Sequence, residues 1–282
     1  MPTEYVRHFG LKESPFVRNH DPKWLYLSTQ HKEAVIRARW TVEEHGGLAL
    51  LRGDVGQGKS FLIEYLMNVW PQQFGWVCAK LQNTATINGP RALLSEVLSA
   101  FGLEPAQSTR AMVSTLENWL LAKVVEEDKT IVLFVDEAQS IHARAMTVFR
   151  DLLNLETRER ILLQIVLSAQ LNIDNKLNYY PALRSRIASV ATLLPFSVEE
   201  TDAMLLHRFR VAGSNDPFVI CSADTVRTIQ HYSRGIPRDI ITIAEGAMKE
   251  AFLRDSTQIE PDHAEQAYRD LAGRHPRLAK AA

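Results

Sequence analysis

Hydrophobic positions along this chain follow two alternating patterns. Short, nearly unbroken apolar runs occur at residues 48–51, 75–81, 130–135 and 161–169. Runs of this length, apolar on both faces, predict strands buried within a parallel sheet. Between them, apolar residues recur at helical spacing. Ser28 reads as an N-cap for a helix over 29–45 carrying Ala34, Val35, Ala38 and Val42, closed by Gly46 and Gly47. A second helix opens near Phe61 and ends near Trp70 and Pro71. Residues 91–101 place Leu93, Leu94, Val97 and Leu98 on one side, with Gly102 as a C-cap. Residues 109–126 carry Met112, Leu116, Trp119, Leu120 and Val124, and a further helix holds Met146, Phe149, Leu152, Leu153 and Leu155. Strands alternating with helices predict an α/β fold with a parallel sheet and helices on both faces.

The pattern changes at Pro195. Ser197 and Glu200 form a capping-box spacing that opens a helix through Val211, and 222–233, 237–253 and 261–272 read as three more helices. Gly213, Gly235 and Pro237 punctuate them, and no strand pattern of comparable strength occurs here. The reading is an α/β domain over residues 1–195, a small helical domain over 196–272, and a basic, mobile tail over 273–282 with Arg274, Arg277 and Lys280.

Composition narrows the class. At 282 residues, 46% hydrophobic and 23% charged, the chain has ample material for a packed core. A net charge of −1 does not advertise nucleic-acid binding, although a local basic face is compatible with it. Cys78 and Cys221 are far apart and form neither a metal-ligand spacing nor a disulfide framework. No apolar run approaches the roughly 20 residues of a membrane span, and residues 1–18 do not read as a signal peptide. A soluble, cytoplasmic chain is expected.

The strongest chemical signal lies between the first strand and the helix that follows it. Gly53, Asp54, Val55, Gly56, Gln57, Gly58, Lys59 and Ser60 form Gly-x-x-x-x-Gly-Lys-Ser, followed by Phe61. Glycines let backbone N–H groups turn inward around phosphate oxygens, and the helix start adds its positive dipole end. In that pattern Lys59 reaches the β- and γ-phosphates of ATP and the Ser60 hydroxyl ligates Mg²⁺. The strand at 131–135 runs into Asp136 and Glu137. With a phosphate loop present, Asp136 suits Mg²⁺ and Glu137 suits activation of a water.

Other candidates are less specific. Gln170, with Ser168 behind it, ends the next strand and can sense the γ-phosphate, or serve as a turn residue. Arg184 and Arg186 offer permanently charged forks, as an arginine finger toward a neighbouring subunit's ATP or as a solvated basic pair. Arg238 opens a helix, the unfavourable end for a cation, which points to an anion such as bound nucleotide. Tyr5, Phe9, Phe16, Trp24 and Tyr26 either anchor the N-terminal segment or wall an adenine pocket. Lys80, Arg91 and Arg110 are equally readable as DNA-phosphate contacts and as ordinary solvated side chains.

The order of phosphate loop, Val135-Asp136-Glu137-Ala138, Leu183-Arg184-Ser185-Arg186-Ile187 and Gly235-Ile236-Pro237-Arg238 resembles an AAA+ ATPase. More closely, it resembles the group joining ExeA-type secretion ATPases to TnsC, TniB and MuB transposition regulators. His8-Phe9-Gly10-Leu11, Pro15-Phe16, Tyr26-Leu27-Ser28, His31-Lys32-Glu33-Ala34 and Arg208-Phe209-Arg210-Val211-Ala212-Gly213 carry that likeness, which covers residues 4–272. The resemblance implies Arg186 as finger, Arg238 as a second sensor on a helical lid, and an N-terminal segment beside adenine. It further implies ATP at the boundaries of a homo-oligomeric ring or filament. Ser168-Ala169-Gln170 departs from the Gly-Gln-Pro of the secretion branch, and that branch's membrane span and cell-wall-binding region do not occur in this sequence. The expectation is therefore an ATP-hydrolysing regulator of DNA transposition that assembles on duplex DNA and recruits or licenses a transposase or targeting protein. The alternative is an ATPase of a secretion or other protein-assembly system.

Overall fold

The computed structural model describes residues 3–19, 21–82 and 84–272. The basic tail over 273–282 lies outside the described residues. In chain order, α1 (Glu4–His8) and α2 (Thr29–Glu43) precede β1 (Leu48–Gly53). Then come α3 (Lys59–Phe74), β2 (Val77–Lys80), α4 (Pro90–Ala100), α5 (Thr109–Leu121), β3 (Ile131–Val135), α6 (Met146–Leu153) and β4 (Leu163–Ala169). The short helices α7 (Ile173–Asn178) and α8 (Pro181–Arg184) lead into β5 (Ile187–Leu193). Five helices follow: α9 (Val198–Val211), α10 (Pro217–Ile220), α11 (Ala223–Ser233), α12 (Pro237–Leu253) and α13 (Pro261–Ala272).

The chain divides into two compact units. One comprises residues 29–55 and 59–193 and contains the sheet. Its strands are parallel in the order β2-β3-β4-β1-β5. Side chains alternate between the faces because successive Cβ atoms point to opposite sides. Leu48, Leu50, Ile131, Leu133, Val135, Leu163, Ile165 and Leu167 pack on one face with residues of α4, α5 and α6. Ala49, Val132, Phe134 and Val166 pack on the other with Ala38 and Val42 of α2 and Ile63, Leu66 and Trp70 of α3. The central strands β3 and β4 are wholly buried, which is why they appear in the sequence as continuous apolar runs.

Several elements differ from the sequence reading, which contains none of the short helices α1, α7, α8 and α10. β5 has no counterpart in it. This edge strand, Ile-Ala-Ser-Val-Ala-Thr-Leu, is half-buried or exposed through Thr192 and buried only at Leu193, so it lacks the apolar density of its neighbour β1. Helix α3 runs through Pro71 to Phe74 instead of stopping there, and Gly75 N–H donates to the Pro71 carbonyl at 3.0 Å beyond it.

Among the described residues, the other unit comprises 3–19, 21–28, 56–58 and 194–272. The N-terminal segment thus clusters with the C-terminal helices, whereas the sequence reading grouped it with the sheet. The cause is visible in its core. Phe16 meets Phe209 edge-to-face at 5.7 Å, and Val6, Phe9, Leu11 and Trp24 are buried. Arg208 is buried as well and donates to the Pro15 carbonyl at 2.8 Å, with its guanidinium 5.8 Å from the Trp24 ring centre. Burial pushes that guanidinium down to about 10. The Ser197–Glu200 capping box is formed at the start of α9. Among the described residues, no helix is long and apolar enough to cross a membrane.

Candidate nucleotide site

The phosphate loop emerges from β1, and α3 begins at Lys59. Gly56 and Gly58 have φ of +94° and +89°, backbone that side-chain-bearing residues adopt only under strain. Lys59 is 4% exposed. An ammonium so buried needs partners, and its Nζ donates to the carbonyls of Gly53 at 2.8 Å and Asp54 at 2.9 Å. Ser60, half-buried, follows it on the first turn of α3.

In the unit that holds residues 56–58, Gly56 lies against the start of α12. Arg238 N–H donates to the Gly56 carbonyl at 3.2 Å. A Cβ on Gly56 would come within 2.8 Å of the Ile236 side chain and 3.2 Å of the Arg238 Cβ. Arg238 itself is exposed and occupies the first turn of α12, as its motif requires.

Asp136 and Glu137 leave the buried strand β3 half-exposed. Ser168 Oγ donates to Asp136 Oδ1 at 2.8 Å, and the Glu137 N–H donates to the same oxygen at 3.0 Å. Glu137 is left-handed, with φ 52° and ψ 40°. For a non-glycine residue that geometry costs about 1 kcal/mol or more and persists only when neighbours hold it. Its Oε2 accepts from Gln139 Nε2 and, at 3.2 Å, from Gln170 Nε2. The tertiary structure thus joins Asp136 to Ser168 and Glu137 to Gln170, as adjacent parallel strands β3 and β4 bring their C-terminal ends together.

Gln139 was not among the sequence candidates, nor was Lys176. Gln139 Oε1 accepts from the Gln170 N–H at 2.9 Å, so this side chain bridges the two strand ends. Lys176 Nζ donates to the carbonyls of Gln139 and, at 2.6 Å, Ile141. Burial shifts its ammonium downward from the ordinary lysine value. Neither residue lies in a motif, and spacing alone does not distinguish them from a helix-start glutamine and a surface lysine.

The remaining candidates are not gathered into this cluster. Arg186 Nη2 donates to Asn154 Oδ1 at 2.8 Å and lies 3.9 Å from Glu156, while Arg184 pairs with Asn178 at 2.5 Å. Lys80 is paired with Glu64 of the same unit, and Arg91 donates to the Gln107 carbonyl. Phe9, Phe16 and Trp24 are spent as core anchors, whereas Tyr5 and Tyr26 are half-buried. Tyr26 lies edge-on to Phe196 at 6.1 Å, and burial, then Glu200, raises its phenol above the ordinary value.

The residues present fit Mg²⁺. A hydroxyl from Ser60 and a carboxylate from Asp136 are hard oxygen donors, and this ion characteristically takes one or two such groups together with substrate phosphates. Among the described residues, no group of three or more His, Cys, Asp and Glu side chains is arranged to hold a metal without a phosphate.

Comparison with known proteins agrees with this fold. Residues 42–177 match the family model described as AAA domain. The class that the fold defines is the AAA+ phosphate-loop fold, with a parallel five-stranded sheet and a helical C-terminal portion. Among individual proteins, the chain is similar to General secretion pathway protein A of Aeromonas hydrophila. They are 34% identical over 260 residues, covering 90% of this chain and 46% of that protein. The chain therefore spans about half the length of that relative. In fold it is similar to the Aeropyrum pernix ORC2 protein in ADPNP–ADP complexes, at a TM-score of 0.67 and 17% identity over 90% of this chain and 70% of the other. It is likewise similar to Drosophila ORC bound to DNA, at 0.65 and 18% identity over 94% and 65%.

Proposed function

We propose that this chain is an ATP-hydrolysing AAA+ module whose turnover drives a protein-assembly step of a secretion-type system. The hydrolytic part rests on one observation above all: Asp136 and Glu137 follow strand β3 with Glu137 held left-handed by Gln139 and Gln170. In this reading the loop N–H groups of residues 53–60 bind the ATP phosphates, and Lys59 moves its ammonium from the Gly53 and Asp54 carbonyls to the β- and γ-phosphates. Ser60 and Asp136 would hold Mg²⁺, which supplies neutralisation of phosphate charge when bound. Glu137 accepts a proton from water as its oxygen bonds to the γ-phosphorus. The bond from that phosphorus to the β,γ-bridging oxygen breaks, and ADP and phosphate leave. Gln170 positions the water or the γ-phosphate from the tip of β4. Arg186 is the residue we assign as finger toward a neighbouring subunit's ATP, and Arg238 is the residue we assign as nucleotide sensor. The cytoplasm, where ATP is abundant, is the compartment we assign.

The protein-directed output is supported by the 34% identity to a protein named for general secretion. The transposition reading, with duplex DNA and a transposase as partners, has less behind it. The DNA-bound ORC structure shares the fold at 18% identity, which speaks for architecture alone. One experiment tests both layers. Steady-state hydrolysis of Mg·ATP by the wild type should fall by about 10²–10⁴-fold in Glu137→Gln, with ATP still bound. Duplex DNA at moderate salt should change neither rate nor assembly. Normal turnover by Glu137→Gln would remove the base assignment. Nucleotide-dependent DNA binding would return the weight to the transposition regulator.

A further inference from the structure

We propose that Gln139 is the positioning residue of the Glu137 carboxylate, coupling it through one carboxamide to the tip of strand β4. This deepens the hydrolytic reading above and rests on it. The geometry is a closed circuit. Gln139 Nε2 donates to Glu137 Oε2, while Gln139 Oε1 accepts from the Gln170 backbone N–H at 2.9 Å. Gln170 Nε2 then returns to the same Glu137 oxygen at 3.2 Å. Both ends of the carboxamide are used, so its orientation is fixed by the chemistry of its partners: only the NH₂ end can donate to a carboxylate, and only the oxygen can accept from an N–H.

The circuit explains a strained residue. Glu137 sits at φ 52°, a conformation it would leave without restraint. Its backbone N–H is held by Asp136 Oδ1 at 3.0 Å, and its carboxylate by two donors aimed at one oxygen. The turn that carries Gln139 is itself anchored. Lys176 ties down the Gln139 and Ile141 carbonyls, and Ala138 is fully buried beneath it. Lys176 belongs to α7, which directly follows β4, so carboxylate, carboxamide and sensor glutamine are all referenced to the β3–β4 pair. Any displacement of the β4 tip moves the Gln170 N–H, and through Gln139 it moves the carboxylate. A misplacement of about 1 Å at a reacting group can cost about 10²-fold in rate. Gln139 touches neither phosphate nor water in this role. It acts through Glu137.

Gln139→Met tests the assignment, because methionine keeps the length and apolar stem of the side chain and removes both hydrogen bonds. Two readouts are taken. In nucleotide-free protein, amide hydrogen exchange at Gln170 should accelerate at least tenfold in Gln139→Met, since its N–H loses its acceptor. In turnover, kcat should fall by about 10–10²-fold with the dissociation constant for ATP within twofold of wild type. In a Glu137→Gln background the same substitution should lower the residual rate by less than twofold. Unchanged exchange at Gln170, or wild-type kcat, would overturn the proposal, as would equal losses of kcat and ATP affinity. Failure of the hydrolytic reading is separately visible: wild type and Glu137→Gln would then turn over alike, whatever Gln139→Met does.

Discussion

Lys59 is the residue on which the proposed nucleotide binding turns. Its buried ammonium donates to the Gly53 and Asp54 carbonyls, which ties the loop to the start of α3. Lys59→Ala removes these bonds and the positive charge that phosphate requires. Hydrogen bonds to charged groups are worth roughly 1.5–3 kcal/mol each, which places the expected loss of ATP affinity at about 10–10²-fold or more. Titration with a fluorescent ATP analogue measures it directly, and affinity within twofold of wild type would contradict the assignment. At this scale the Gly-x-x-x-x-Gly-Lys-Ser residues and the Asp136-Glu137 pair were legible because their chemistry is carried by contiguous positions. Gln139 was not legible, since its importance depends on which atoms of Gln170 and Glu137 it meets across two strands.

At the level of elements, the Gly235-Ile236-Pro237-Arg238 segment has a structural reason for its first residue. Gly235 has φ +71°, and a Cβ there would stand 2.2 Å from the Phe196 carbonyl oxygen. The approach is close because Phe196 N–H donates to the Gly235 carbonyl at 2.7 Å, joining the entry to α9 with the entry to α12. Gly235→Ala should therefore destabilise the protein by more than about 1 kcal/mol, combining left-handed strain with overpacking. Urea denaturation followed by circular dichroism measures this, and a midpoint equal to wild type would refute it. Helices with one dense apolar stripe and the fully buried strands were readable because their hydrophobic period is local. Strand β5 was not, because its half-buried and exposed positions carry polar and small residues such as Ala188, Ser189, Ala191 and Thr192 in place of an apolar run.

For the molecule as a whole, the arginines set the expectation. Arg184 and Arg186 pair with Asn178, Asn154 and Glu156, outside the Asp136–Glu137–Gln170 cluster of their own chain. A finger that works on a neighbouring subunit predicts complementation. Arg186→Ala alone should hydrolyse ATP at no more than a few per cent of the wild-type rate, since such a finger is worth about 10³–10⁵-fold in related phosphoryl transfer. Mixed with Glu137→Gln, which supplies an intact Arg186, it should regain a clearly measurable fraction of activity. A mixture no more active than the sum of its parts would place Arg186 outside any shared site.

The sequence by itself determined the strand–helix alternation, the capping box of α9, the phosphate loop and the acidic pair at the end of β3. Each of these is a pattern within one short segment, where side-chain period, glycine placement or motif spacing fixes the physics locally. Only the tertiary structure decided that the described N-terminal residues, 3–19 and 21–28, join the C-terminal helices, through Phe16, Trp24 and Arg208. It also decided that β5 completes the sheet, that Gln139 donates to Glu137, and that Lys176 ties down the Gln139 and Ile141 carbonyls. Those outcomes depend on atoms brought together from distant positions. Burial and hydrogen bonding between such groups have no signature in the order of residues along the chain.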